Sequence, residues 1–377
     1  MKADLARSLN AASRKSQEFS PGELKTCKKA PFAAAPHKRP AFCGPFPPAA
    51  ARTGVVMLSG PMRILVTGVS GFVGARLVPR LQRDGHELRG FVRDPARVVT
   101  DVELPLVVGD AVSGAGLDAA LDGIDVAYFL IHSMEPVTDA DADPARTDFR
   151  ARELAAAERF AAAAQAAGVR RIVYLGGLVP RDAAASDHLA SRLAVEQTLL
   201  EALPDSVALR ASIVIGAGSR SFRFLVRLIE RLPLVALPAW RIHRTQPIDE
   251  RDVIESLARA ATAPAAAGRS LDVAGPDIVS YGELVTSIRD HMLLRRPLLR
   301  IGRMGPLSST SVTSAVAAAI AGEQRELVGP LMAGLTSDLL PRDDSAAGLL
   351  GVRLHSLDAA VEHALGEWEE SEPLAAR

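Results

Sequence analysis

Three glycines, Gly68, Gly71 and Gly74, follow the apolar run Ile64-Leu65-Val66-Thr67 at spacings of i, i+3 and i+6. The branched run reads as a strand buried on both faces. The residues beyond Gly74, as far as Leu81, read as an amphipathic helix. In that strand–turn–helix order each glycine has a task. Gly68 makes the tight turn, Gly71 admits a pyrophosphate against backbone N–H groups, and Gly74 lets the helix pack close to the sheet. The helix then faces the phosphates with unpaired N–H groups and the positive end of its dipole. Thr67, Ser70, Phe72 and Val73 complete the candidate loop. A glycine turn that serves packing alone is the plainer alternative. A second strand at 86–93 favours dinucleotide binding.

Chemistry at such a loop needs further residues at strand ends, and the chain supplies them. Arg93 closes the second strand nineteen residues after Gly74, where an acid would bind the ribose 2′-hydroxyl of NAD. An arginine there pairs instead with a 2′-phosphate, which favours NADP, while the adjacent Asp94 leaves NAD open. Apolar runs at 104–108, 124–131, 171–175, 207–215 and 271–275 read as further strands. Helical segments between them, at 147–167, 186–202 and 222–232, make the alternation of a doubly wound parallel sheet. The expected fold is therefore α/β and Rossmann-like, with a small, mostly helical C-terminal appendage over 295–377. The strand ends place Asp110 and Ala111 near the adenine. They place Ile131, His132, Gly176 and Gly177 near the ribose and nicotinamide. Capping or loop hydrogen bonding is the competing reading for Asp110 and His132.

Residues 1–61 differ in kind. They hold ten Lys and Arg against three acids, every lysine of the chain, and both cysteines, Cys27 and Cys43. The zero formal charge thus hides about +7 in this leader and −7 in the remainder. Such a segment cannot bury enough apolar surface to fold alone. It reads as a disordered tail, a transit-like segment, or non-native sequence upstream of initiation at Met62, the last being favoured because the fold begins one residue later. Residues 62–294 are the expected nucleotide-binding domain. No secretory segment or 18-residue apolar span appears, so a cytoplasmic protein without a membrane span is expected. Two cysteines in the leader support neither a disulfide framework nor a metal site. With aromatics at 4% and an acidic body, nucleic-acid binding is disfavoured. A homodimer or a protein partner stays open.

The loop Val66-Thr67-Gly68-Val69-Ser70-Gly71-Phe72-Val73-Gly74 resembles that of extended and atypical short-chain dehydrogenases/reductases. Tyr128-Phe129-Leu130-Ile131-His132-Ser133-Met134, Arg171-Ile172-Val173-Tyr174-Leu175-Gly176-Gly177-Leu178 and His188-Leu189-Ala190-Ser191-Arg192 resemble their NmrA-like, NAD(P)-binding branch. Arg210-Ala211-Ser212-Ile213-Val214-Ile215-Gly216 and Thr245-Gln246-Pro247-Ile248 extend the likeness, which covers about residues 62–275. Catalytic members carry a Tyr and, four residues later, a Lys that lowers the phenol's pKa. Here Tyr128, Tyr174 and Tyr281 are followed at that distance by His132, Leu178 and Val285, and no lysine occurs after position 38. The resemblance puts His188 and Arg192 at the equivalent helix positions. Arg192 can hold ribose hydroxyls; His188 is either a proton donor or a solvated helix residue. The catalytic Ser would fall at Gly176-Gly177, where no hydroxyl exists.

Two classes follow. One is an NAD(P)H-dependent oxidoreductase or epimerase on a small organic substrate. The other is a non-catalytic, dinucleotide-sensing regulator or assembly factor. On the substrate side, Arg220, Arg223, Arg241 and Arg244 either face an anion or form a charged surface.

Overall fold

The computed structural model describes residues 60–98, 103–131, 149–180, 187–231, 235–237, 239–294, 297–300 and 337–372. Seven parallel strands form the central sheet: β1 (Arg63–Thr67), β2 (Glu87–Val92), β3 (Leu106–Val108), β4 (Val126–Phe129), β5 (Arg171–Gly177), β6 (Val207–Ala211) and β11 (Arg269–Val273). Their spatial order is β11-β6-β5-β4-β1-β2-β3. Three short pairs lie apart from it: β7 (Val214–Ile215) with β10 (Ile248–Asp249), β9 (Arg244–Thr245) with β12 (Val279–Ser280), and β8 (Val235–Leu237) with β13 (Leu298–Arg300). The helices are α1 (Phe72–Arg83), α2 (Leu117–Leu121), α3 (Phe149–Ala166), α4 (Asp187–Ala202), α5 (Arg220–Arg231), α6 (Glu250–Ala260), α7 (Tyr281–His291), α8 (Ser345–Leu350) and α9 (Leu357–Ser371). Among the described residues, no helix is long and apolar enough to cross a membrane.

Both faces of the sheet are covered, which is why its strands are apolar without alternation. Leu77 and Leu81 of α1, Val253 and Leu257 of α6, and Leu350 of α8 pack on Ile64, Val66 and Val173. On the opposite face α2, α3 and α4 pack on Leu65, Phe129 and Tyr174. The alanines of α3 let it lie close, and Phe160 stacks on Phe129 with ring centroids 5.0 Å apart. A third cluster joins Phe222 and Val226 of α5, Leu284 of α7, and Val361 and Trp368 of α9.

Helix ends follow their sequence signals. Asp249 caps α6 by accepting from Arg251 N at 2.8 Å, and Ser280 with Glu283 forms the capping box of α7. The expected sixth strand over 207–215 is broken. β6 stops at Ala211, and β7 leaves the sheet to pair with β10, because Ser212 donates to Val273 O and Ile248 donates to Ile213 O. The described C-terminal helices are part of the body, α8 on the sheet's helical layer and α9 in the third cluster.

Candidate functional site

The chain runs outward from β1 to β2 and β3, then returns to β4 and runs the other way. In such sheets the ligand crevice opens at that switch, between the carboxyl ends of β1 and β4. Thr67 pins the two strands there. Its buried hydroxyl donates to Tyr128 O and accepts from Leu130 N, both at 2.9 Å. The hydroxyl is thereby held within the sheet, and the loop beyond it is fixed in place.

Gly68 has φ +68°, and a Cβ on it would lie 2.7 Å from Leu130 O. A Cβ on Gly74 would lie 2.3 Å from Gly68 O, so α1 can approach the turn this closely only with glycine there. Gly71 N donates to Gly68 O at 2.9 Å, closing the turn. Gly71 is then the N-cap of α1, and no side chain caps the helix. Ser70 and Gly71 are exposed, and the only atom a Cβ on Gly71 would approach is Gly68 O, at 3.2 Å. The result is an open cradle of N–H groups at a positive helix end, the donor set a pyrophosphate requires. Phe72 supports it from behind. Its ring fills the space left by Gly216 and Gly218, where a Cβ would come within 2.9 and 2.4 Å. Val73 is half-buried against the core.

At the end of β2, Arg93 is exposed beside the short turn Pro95–Arg97. Asp94 caps that turn, accepting from Ala96 N at 3.0 Å. Asp110 likewise closes a loop, accepting from Val112 N at 2.9 Å, and Ala111 is buried in the core. Loop hydrogen bonding, the plainer of the two readings of Asp110, is what this geometry shows. Ile131 is half-buried at the end of the β4 segment, on the wall formed by Phe129, Tyr174 and Arg192. His132 lies outside the described residues.

Gly176 and Gly177 end β5. Gly176 stands opposite Arg210 in the β5–β6 register, and a Cβ on it would meet the Tyr174 ring at 3.1 Å and Glu196 Oε2 at 3.8 Å. Packing therefore explains Gly176. Gly177 has more room: a Cβ there meets only Leu189, at 3.5 Å, so space alone does not bar a serine.

Helix α4 passes beside these glycines. It contains His188 and Arg192; the His188 side chain lies outside the described residues. The Arg192 guanidinium lies against Tyr174, its Nη1 3.4 Å from the phenol oxygen. Burial pushes the Tyr174 phenol up to about 12 despite that positive charge. Sequence reasoning missed this pairing, since a strand tyrosine eighteen residues before a helix arginine carries no local signal. Next to Arg192, buried Ser191 donates to Glu153 Oε2 at 2.9 Å. Further along α4, Glu196 takes a bidentate bond from Arg210 of β6, with Asp272 of β11 3.7 Å from the same guanidinium. These contacts fix α4 to the sheet, and with it the backbone that carries His188.

Of the four candidate anion-facing arginines, Arg223 and Arg244 are each held by an acidic side chain. Arg223 bonds Glu372 at 3.2 Å and lies over the Trp368 ring, and Arg244 bonds Asp338 at 2.7 Å.

A protein-family profile described as NAD(P)H-binding matches residues 68–206, the stretch that contains the cradle and α4. A 3-beta-hydroxysteroid dehydrogenase of Mycolicibacterium neoaurum is 36% identical over 116 residues, 30% of this chain and 31% of that protein. The chain thus spans about a third of that relative's length. A ceramide reductase of Caulobacter vibrioides is 26% identical over 309 residues, 78% of this chain and 93% of the relative. A (4-alkanoyl-5-oxo-2,5-dihydrofuran-3-yl)methyl phosphate reductase of Streptomyces griseus is 30% identical over 241 residues, 62% and 75% respectively. Among solved structures, MoeE5 in complex with UDP-glucose and NAD superposes with a TM-score of 0.58 at 22% identity, covering 82% of this chain and 99% of that one. The cradle at the β1–β4 switch, the sheet order around it and these likenesses agree: the chain belongs to the family of NAD(P)H-binding, Rossmann-fold proteins that includes this Streptomyces griseus reductase.

Proposed function

We propose that this protein is an NADPH-dependent reductase acting on a carbonyl group of a small, largely apolar substrate. The observation that carries the choice of cofactor is at the end of β2. Asp94, the acid that would favour NAD, is engaged in capping its own turn, while Arg93 beside it is exposed. A guanidinium there suits a 2′-phosphate. Both relatives matched over three quarters or more of their own length carry the name reductase, one of ceramide and one of a (4-alkanoyl-5-oxo-2,5-dihydrofuran-3-yl)methyl phosphate.

In this reading the Gly68–Gly74 loop and the first turn of α1 hold the pyrophosphate. Asp110 shapes the adenine-side loop, and Ile131, Gly176 and Gly177 line the nicotinamide side. His132 belongs to the same region of the sequence. When bound, the nicotinamide supplies the hydride. Proton delivery then falls to residues other than a Tyr–Lys pair. His188, in the first turn of α4, is the proposed donor, since an imidazole exchanges protons near neutral pH. Arg192, always charged, orients the substrate side through Tyr174 and ribose hydroxyls.

His188→Gln is expected to leave NADPH affinity intact and lower turnover roughly 100-fold or more. Turnover at the wild-type rate would remove His188 from the mechanism. A second reading, a dinucleotide-sensing regulator, is favoured by one observation. Gly177 lacks a hydroxyl where packing leaves room for one, and no lysine follows position 38. Cofactor binding by the wild type, with no turnover on a panel of aliphatic and aromatic carbonyl compounds, would select that reading.

A further inference from the structure

Away from the crevice, α1, α6 and α9 meet at a second group of ionisable side chains. Glu250 stands in the first turn of α6, and His363 and Glu367 are four residues apart on one face of α9. One donor atom from each of the three lies within 4.8 Å of the others, with His363 Nε2 4.0 Å from Glu250 Oε1. Arg76 of α1 donates to Glu250 Oε1 at 2.9 Å and also bonds Glu367 Oε1.

Those bonds account for one oxygen of each carboxylate. The other two, Glu250 Oε2 and Glu367 Oε2, are buried with no hydrogen-bond partner. Among the described residues they are the only buried carboxylate oxygens left so. The Glu250 side chain is only 6% exposed. A buried acceptor without a donor is costly, and Arg76, whose bonds go to the Oε1 atoms, leaves two such oxygens in one group.

We propose that Glu250, His363 and Glu367 bind one divalent transition-metal cation of the zinc type, which fastens α9 to α6 and to the helix that follows the glycine loop. Two carboxylate oxygens and an imidazole nitrogen are a zinc donor set, with a fourth position for water. Arg76 holds the Oε1 atoms of both carboxylates, the outer support that ligating carboxylates receive in metal sites. Gly216 leaves space for the ligand: a Cβ there would sit 1.9 Å from Glu250 Oε2. Donors on a tetrahedral ion with bonds of roughly 2.0–2.2 Å stand roughly 3.4 Å apart, so the side chains must close by about 1 Å. His363 and Glu367, 38% and 35% exposed, have the freedom to do so.

The test uses the full chain, stripped with a chelator and titrated with Zn²⁺ by calorimetry, beside His363→Ala and Glu367→Gln. Cys27, Cys43 and His37 of the leader can also take zinc, so the readout is the difference between proteins that share that leader. The wild type should bind one equivalent more than His363→Ala, and Glu367→Gln should bind that equivalent at least about 10-fold more weakly. Zinc should raise the melting temperature of the wild type by several degrees and that of His363→Ala by none. Circular dichroism in chelator checks that each variant folds; should His363→Ala not fold, Glu367→Gln carries the same comparison. Equal stoichiometry in the wild type and His363→Ala, or equal affinity in the wild type and Glu367→Gln, overturns the proposal. So does the absence of any zinc-dependent rise in melting temperature, the result expected if a proton shared by the two carboxyls fills the place.

Discussion

Gly71→Val should abolish NADPH binding, with affinity falling by about 100-fold or more, while the protein stays folded. Among the described residues, no side chain caps the N-terminus of α1, which begins at the exposed Gly71. A branched side chain at Gly71 would occupy the place where a pyrophosphate meets the N–H groups of that terminus. The folded state should tolerate the change, since Gly71 is exposed, is not at positive φ, and a Cβ on it approaches only Gly68 O, at 3.2 Å. A loss of about 1 kcal/mol, or roughly 2–4 °C in melting temperature for a chain of this size, is the expected scale. Gly74→Ala makes the contrast. Its Cβ would lie 2.3 Å from Gly68 O, so binding and stability should fall together. Calorimetry with NADPH and thermal melts of both variants separate the two cases. Unchanged affinity in Gly71→Val would remove the loop from the cofactor site.

The second large effect concerns the ion cluster that seats α4. Arg210→Met should destabilise the protein by about 3–5 kcal/mol, because it leaves Glu196 and Asp272 buried without their cation. Glu196 is 4% and Asp272 9% exposed, so water does little to screen the loss. Ser270 also donates to Glu196, and Arg342 N donates to Asp272 Oδ2 at 2.7 Å, but neither supplies a full charge. The double variant Arg210→Met with Glu196→Gln should recover part of the loss, since one of the two stranded charges is gone. Urea unfolding of the single and double variants measures both numbers. A cost below about 1 kcal/mol for Arg210→Met would mean that solvent reaches this cluster.

The glycine loop and the sheet that carries it were legible because their signals are local. A branched run, three glycines at fixed spacing and an amphipathic period all lie between residues 64 and 81. The caps of α6 and α7 were legible for the same reason. Pairings between distant parts of the chain were not. The end of β6 at Ala211 depends on hydrogen bonds from Ser212 to Val273 and from Ile248 to Ile213, which no apolar run reveals. Thr67 looked like a loop residue, and only its bonds to Tyr128 and Leu130 show that it joins β1 to β4. Arg171 is another case: it reads as the first residue of a strand, yet its buried guanidinium donates to the carbonyls of Ala260, Ala261 and Ala263 at the end of α6. The acidic group at Arg76 was not read from the sequence: His363 and Glu367 share a helix face at i and i+4, but nothing local joins them to Glu250, more than a hundred residues earlier.

The most direct test of the cofactor assignment is calorimetric titration of the wild type and of Arg93→Ala with NADPH and with NADH. A charged bidentate contact contributes roughly 1.5–3 kcal/mol, so the wild type should bind NADPH about 10- to 100-fold more tightly than NADH. Arg93→Ala should lose that margin for NADPH and keep its affinity for NADH. Equal losses for both cofactors would mean that Arg93 supports the loop and reads no phosphate. Saturable binding of neither cofactor by the wild type would contradict the assignment of the site itself.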